Sequence, residues 1–150
     1  MKSIPNDIFF TWIESDILDG KSVQFMVKGN SMIPLLRNGR DKVMLSPCRK
    51  DELKPMDVIL FKYREKYVLH RIIKREGKHL YIQGDGSFVA KEECSLDDVV
   101  GKVEAIIRPS GKMISVNSWK WRFPSVLWRK VGGVYRTYLL KFFYRIMGNC

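Results

Sequence analysis

A mostly β domain with a helix at each end is what this sequence predicts, and three observations predict it. Between residues 21 and 116, short apolar runs rich in Val, Ile, Phe and Tyr alternate with polar or glycine-bearing turns. Ahead of them, apolar residues recur at helical spacing; behind them, aromatics and cations interleave without a single carboxylate. With 45% hydrophobic and 12% aromatic residues in a chain of 150, there is enough apolar material for one core and one domain.

Residues 1–20 carry Ile4, Ile8, Phe9, Trp12, Ile13, Ile17 and Leu18, with Pro5 suited to a first turn and Gly20 to a stop, so an amphipathic helix is expected over 4–19. The segment lacks a cationic start followed by an apolar core, and a cleaved secretory signal is not expected. Strands are expected over 23–27, 42–45, 57–63, 67–75, 79–83, 99–108 and 112–116. The turns between them at 64–66, 76–78 and 109–111 are polar or contain glycine, which points to antiparallel neighbours.

Two segments about forty residues apart carry the chemistry. Residues 29–41 read GNSMIPLLRNGRD, and residues 68–75 read VLHRIIKR. A serine hydroxyl becomes a useful nucleophile when a neighbouring base takes its proton during attack, and an imidazole, with an unperturbed pKa of roughly 6.5, does this at neutral pH. Ser31 on a loop after the first strand and His70 within a strand would form such a pair. A rigid strand suits the small positional tolerance of proton transfer. Each residue alone also fits a bland reading: Ser31 as a turn residue, His70 as a satisfied structural histidine, and Gly84-Asp85-Gly86 as a hairpin turn.

The ordered runs VKGNSMIPLL, RDKVMLSP, KPMDVILFK, YVLHRIIKR, LYIQGDG and VVGKVEAI resemble the boxes of the peptidase clan that unites type I signal peptidases with the self-cleaving (LexA-like) repressors. The resemblance spans residues 20 to 108. His70-Arg71, where bacterial members carry a lysine, is similar to the archaeal and endoplasmic-reticulum branch. The resemblance implies an antiparallel β fold of that type, with Ser31 as nucleophile, His70 as general base, and Met32 and Pro34 completing the serine box. It implies an acid past the Gly-Asp pair, but six residues after Asp85 stands Lys91, followed by Glu92 and Glu93. Asp85 is therefore the first choice to orient His70, with Asp97 or Asp98 in reserve. Gly29 stands where bacterial signal peptidases offer a hydroxyl, which leaves the oxyanion to backbone donors such as the Ser31 amide, helped by Asn30. Arg71 is expected to support the site or bind a nearby acid, and Asp41 to cap the nucleophile loop.

Cys48, Cys94 and Cys150 stand at unrelated spacings that form neither a disulfide framework nor a zinc pattern, which fits a reducing compartment. His70 and His79 leave metal chemistry little to build on, and no metal or cofactor is expected.

Residues 117–150 form the third zone. The nine cations after Glu104 supply most of the formal charge of +11. On a helical projection Arg129, Lys130, Arg136, Lys141 and Arg145 lie opposite Trp128, Tyr135, Leu139, Phe142 and Ile146, with Gly132 and Gly133 as a hinge. Three readings stay open: a helix lying on an anionic membrane surface, a helix packed on the β domain with solvated charges, and, least favoured, a nucleic-acid contact. No uncharged run reaches the roughly 18 residues needed to span a bilayer.

The combined expectation is a bacterial serine endopeptidase, peripheral at the cytoplasmic face of the membrane, that cleaves a peptide, leader or signal sequence through an acyl-enzyme. Its substrate would lie extended along a strand edge while a pocket reads small side chains. The alternatives are a catalytically silent peptide-binding or membrane adaptor on the same fold, and a repressor-like domain that cleaves itself. Substrate and oligomeric state are not legible in the residues.

Overall fold

The computed structural model describes residues 6–87 and 90–147, with Asn6 described for its backbone alone. A helix α1 (Asn6–Leu18) leads into eight strands: β1 (Val23–Met26), β2 (Lys42–Ser46), β3 (Val58–Tyr63), β4 (Lys66–Glu76), β5 (His79–Gln83), β6 (Glu92–Ser95), β7 (Val99–Ile107) and β8 (Met113–Ser115). Helices α2 (Trp119–Lys130) and α3 (Gly133–Met147) follow. The strands form one antiparallel sheet in the order β1-β2-β7-β3-β4-β5-β6, with β8 added to β7. Mostly β architecture with helices at both ends is therefore what the chain adopts.

The central strand shows how the sequence encodes the layers. Successive side chains of β3 point to opposite faces. Val58 and Leu60 enter one core with Ile13, Ile17, Phe25, Val27, Met32, Leu36 and Trp121, while Ile59 and Phe61 enter a second with Ile72, Leu80, Ile82 and Cys94. A strand buried on both faces needs the unbroken run VILF rather than an alternating one. Irregular pairing at Met44/Leu45, Leu60/Phe61 and Ile72/Lys74 bends the strands and wraps the sheet around these cores.

Three differences from the sequence expectation have physical causes. Strand β6 falls in a segment with no apolar run; it is a short edge strand in which Cys94 is the buried side chain. Edge strands of this kind carry charge, which blunts further pairing. Helix α1 buries a narrower strip than the spacing implied: Ile13 and Ile17 are buried and Phe9 and Phe10 pack on the core, while Ile8, Trp12 and Leu18 are exposed. Ile4 lies outside the described residues. The tail is two helices, broken at Val131 and Gly132. On α3, Leu140 turns inward, whereas Tyr135, Tyr138, Phe142 and Ile146 are exposed on the same side of the protein surface as Lys141 and Arg145. The aromatic and cationic residues thus share solvent rather than dividing it from a core.

Candidate active site

The loop between β1 and β2 is built from local hydrogen bonds. Gly29, at φ 81°, donates its N–H to Asn38 Oδ1 (2.9 Å), a backbone conformation that costs a glycine little. Asp41, buried at 3% exposure, accepts from the Arg37 N–H (2.8 Å) and pairs with Arg108 Nη1 (3.0 Å), so the cap on this loop is also tied to the sheet through β7's end. Met32 and Leu36 anchor the loop in the core, and the Ile33–Pro34 peptide is cis.

Ser31 is half-buried on this loop, and its carbonyl accepts from the Gly86 N–H (2.7 Å), which docks the loop against the turn Gly84-Asp85-Gly86. Gly84 is the meeting point. A Cβ placed there would stand 2.4 Å from the Ser31 carbonyl oxygen and 2.9 Å from His70 Nε2. The Nε2 edge of the imidazole therefore faces the Ser31 backbone across a residue that has no side chain. Ser31 and His70 also line one cleft of about 310 Å³, whose walls are Phe9, Phe10, Phe25 and Tyr67. Phe10 stacks on Tyr67 (5.3 Å between centroids) and meets Phe25 edge-on (5.7 Å), so α1 roofs the cleft. No hydrogen bond joins the Ser31 hydroxyl to Nε2 here; such bonds are commonly long in an unliganded site and tighten around substrate.

The other ring nitrogen faces an acid that sequence reasoning passed over. His70 Nδ1 lies 3.1 Å from Glu92 Oε1, and both side chains are largely buried, at 8% and 15% exposure. The approach lies off the N–H direction, so the contact is electrostatic rather than an aligned hydrogen bond; Nδ1 and Glu92 Oε2 are left without hydrogen-bond partners. Strand period supplies the signal that was available: Glu92 shares a face with the buried Cys94 two residues on.

Asp85, the expected partner of His70, is placed elsewhere. Its carboxylate accepts from Arg71 Nε (2.9 Å) and Nη2 (2.9 Å) in a fully buried bidentate pair, and its backbone oxygen accepts from Trp128 Nε1 (2.9 Å). Arg71 spends its remaining donors on the Met56 carbonyl (2.9 Å) and Ser125 Oγ (3.2 Å) and lies over the Trp121 ring. This pair joins the Gly84–Gly86 turn to β4 and α2, which makes Asp85 a support for the site and not the residue beside the imidazole. Adjacent strand residues face opposite ways, so Arg71 and its neighbour His70 cannot both serve one acid on one side of β4. Asp97 and Asp98 belong to a one-turn 3₁₀ helix, where Asp98 accepts from the Ser95 N–H (2.9 Å) and the Asp97 N–H is capped by Ser95 Oγ; neither touches His70.

Among the described residues thiol chemistry does not compete at this site; Cys150 lies outside them. Burial pushes the Cys94 thiol up to about 12 and raises Cys48 as well, so both stay protonated at neutral pH, and neither lines the cleft. Among the described residues no group of three or more His, Cys, Asp or Glu is arranged to hold a metal ion, and no helix is long and apolar enough to cross a membrane. No family model, no curated protein and no solved structure matches the chain.

Proposed function

We propose that this protein is a serine endopeptidase that uses Ser31, His70 and Glu92 to cleave a peptide through an acyl-enzyme. One observation carries the reading: the two nitrogens of a single buried imidazole face the Ser31 backbone on one side and a carboxylate on the other, in an open apolar cleft. That is the arrangement a base needs in order to take a hydroxyl proton and be stabilised as a cation. The resemblance of the Ser-Met-x-Pro and His-Arg segments to signal peptidases supports the same assignment.

In this reading the peptide lies extended in the cleft. Residues Lys66–His70 of β4 pair with β3 on one side, whereas β5 takes up pairing only from Arg71 onward, and β1 ends the sheet. Phe25 and Met26 of β1 and Tyr67 to His70 of β4 line the cleft, so it lies between two strand segments with backbone groups to offer. Ser31 Oγ attacks the scissile carbonyl while His70 Nε2 takes its proton, and the Ser31 N–H donates to the oxyanion. The imidazolium, stabilised by Glu92, gives the proton to the leaving amine. It then takes one from water, whose attack releases the acid product and restores Ser31.

A p-nitrophenyl acyl ester tests this directly. Wild type should turn it over, and Ser31→Ala and His70→Ala should each fall to the background of the free ester. Equal turnover by all three proteins would refute the mechanism.

In the same proposal this chemistry works at a lipid surface, a reading that the exposed face of α3 supports. Tyr135, Tyr138, Phe142 and Ile146 beside Lys141 and Arg145 combine apolar burial with attraction to anionic headgroups. Wild type should co-sediment with phosphatidylglycerol vesicles, less so in high salt, and not with phosphatidylcholine vesicles. The triple variant Tyr135→Ser, Tyr138→Ser, Phe142→Ser should lose that binding while keeping ester turnover. Undiminished binding by the triple variant would remove α3 as the membrane contact.

A further inference from the structure

The Tyr144 hydroxyl, on the inward side of α3, lies 3.0 Å from the Asn30 carbonyl oxygen and 2.9 Å from that of Gly86, and its one hydrogen is shared between them. These carbonyls belong to the two segments that meet at the candidate site, the nucleophile loop and the Gly84–Gly86 turn. A Cβ at Gly86 would stand 2.4 Å from the Asn30 oxygen and 3.1 Å from the Tyr144 hydroxyl, so the fit has room for a phenol and none for a side chain on the turn. Burial raises the Tyr144 pKa, which keeps the hydroxyl a donor across the neutral range.

The consequence follows from peptide geometry. In a trans peptide the C=O and the next N–H point in opposite directions. The Asn30 oxygen accepts from the Tyr144 hydroxyl and, within the loop, from the Ile33 N–H (3.3 Å), so the N–H of Ser31 points away from both donors. Ser31 lines the cleft, whereas Asn30, Gly86 and Tyr144 do not. Among the described residues no acceptor meets the Ser31 N–H. It is the donor that the acyl-transfer reading requires for the oxyanion.

We propose that Tyr144 is a positioning residue: by clasping the Asn30 and Gly86 carbonyls it holds the Ser31 N–H aimed at the developing oxyanion, so that the C-terminal helix completes the active site. This rests on the serine peptidase reading. It also gives α3 two faces with linked tasks, the outer one toward lipid and the inner one on the nucleophile loop.

Phosphonylation by an alkyl fluorophosphonate reads the effect, because its P=O oxygen occupies the oxyanion position as the serine adds. In the full chain, Tyr144→Phe should lower the maximal labelling rate by about tenfold or more, part of the roughly hundredfold or greater loss seen when an oxyanion donor is removed outright. Its half-saturating probe concentration and melting temperature should stay near wild type. Leu140→Ala, which loosens the same helix without touching either carbonyl, should label at the wild-type rate at a temperature where it is folded. Labelling of Tyr144→Phe within twofold of wild type, or an equal loss in Leu140→Ala, would overturn the inference while leaving the serine nucleophile in place. Failure of wild type to label would remove the peptidase reading itself and this inference with it.

Discussion

Asp85→Asn should lower the melting temperature by on the order of 10 °C, whereas Glu92→Gln should leave it within a few degrees and cut turnover about a hundredfold. The contrast follows from where the two carboxylates sit. Asp85 is fully buried and takes two hydrogen bonds from Arg71, itself 1% exposed at the side chain. Removing one charge of a buried pair strands the other and costs about 3–5 kcal/mol. In a chain of this size each kcal/mol moves the midpoint by about 2–4 °C. Glu92 carries no such structural load: Oε2 has no hydrogen-bond partner, and among the described residues the one ion-pair partner of the carboxylate is the His70 imidazole. A neutral amide there keeps the shape and loses the stabilisation of the imidazolium. Replacing the acid of a well-aligned triad costs about 10⁴ in turnover. The off-axis approach at His70 warrants the smaller figure. Thermal melts and ester turnover on the two variants separate the roles, and an inactive but stable Asp85→Asn together with an active Glu92→Gln would reverse them.

Gly84→Ala should abolish turnover to within the limit of detection, a loss of at least about a hundredfold, with a smaller loss of stability. The added methyl would stand 2.4 Å from the Ser31 carbonyl oxygen and 2.9 Å from His70 Nε2. The first of these is backbone and cannot swing aside. The loop and the imidazole must therefore separate, and a misplacement of about 1 Å at reacting groups is worth about a hundredfold in rate. Overpacking of this kind costs about 1–3 kcal/mol, so the fold should survive for measurement. Turnover near the wild-type level would mean that Ser31 and His70 do not work across Gly84.

The parts of this molecule that could be read from the sequence are those in which burial and period agree. Val58 to Phe61 form an unbroken apolar run that reads as a strand, and the β4 run around His70 is long enough to be unmistakable, so the sequence alone puts His70 on a strand. Loop chemistry was legible at Asp41, where an acid after a Gly-Arg turn does cap the loop that carries Ser31. What was missed was missed for one reason. Strand β6 has Glu93 facing solvent, Glu92 turned to His70 and Cys94 as its buried apolar side chain, so it leaves no apolar signature, and the residue beside His70 rides on it. Asp85, by contrast, stood out in a Gly-Asp-Gly turn. Its demand for a partner was met by Arg71, whose side chain leaves β4 on the face opposite His70. The tail shows the limit of a helical projection: it separates cations from aromatics, but which arc faces the protein is decided by Leu140 and Tyr144 reaching their partners.

The most direct test is the site of covalent modification. Wild-type protein treated with an alkyl fluorophosphonate, digested and mapped by mass spectrometry should carry one phosphonyl group, on Ser31, and His70→Ala should carry none in the same time. An adduct on any other residue, or equal labelling of Ser31→Ala and wild type, would contradict the account.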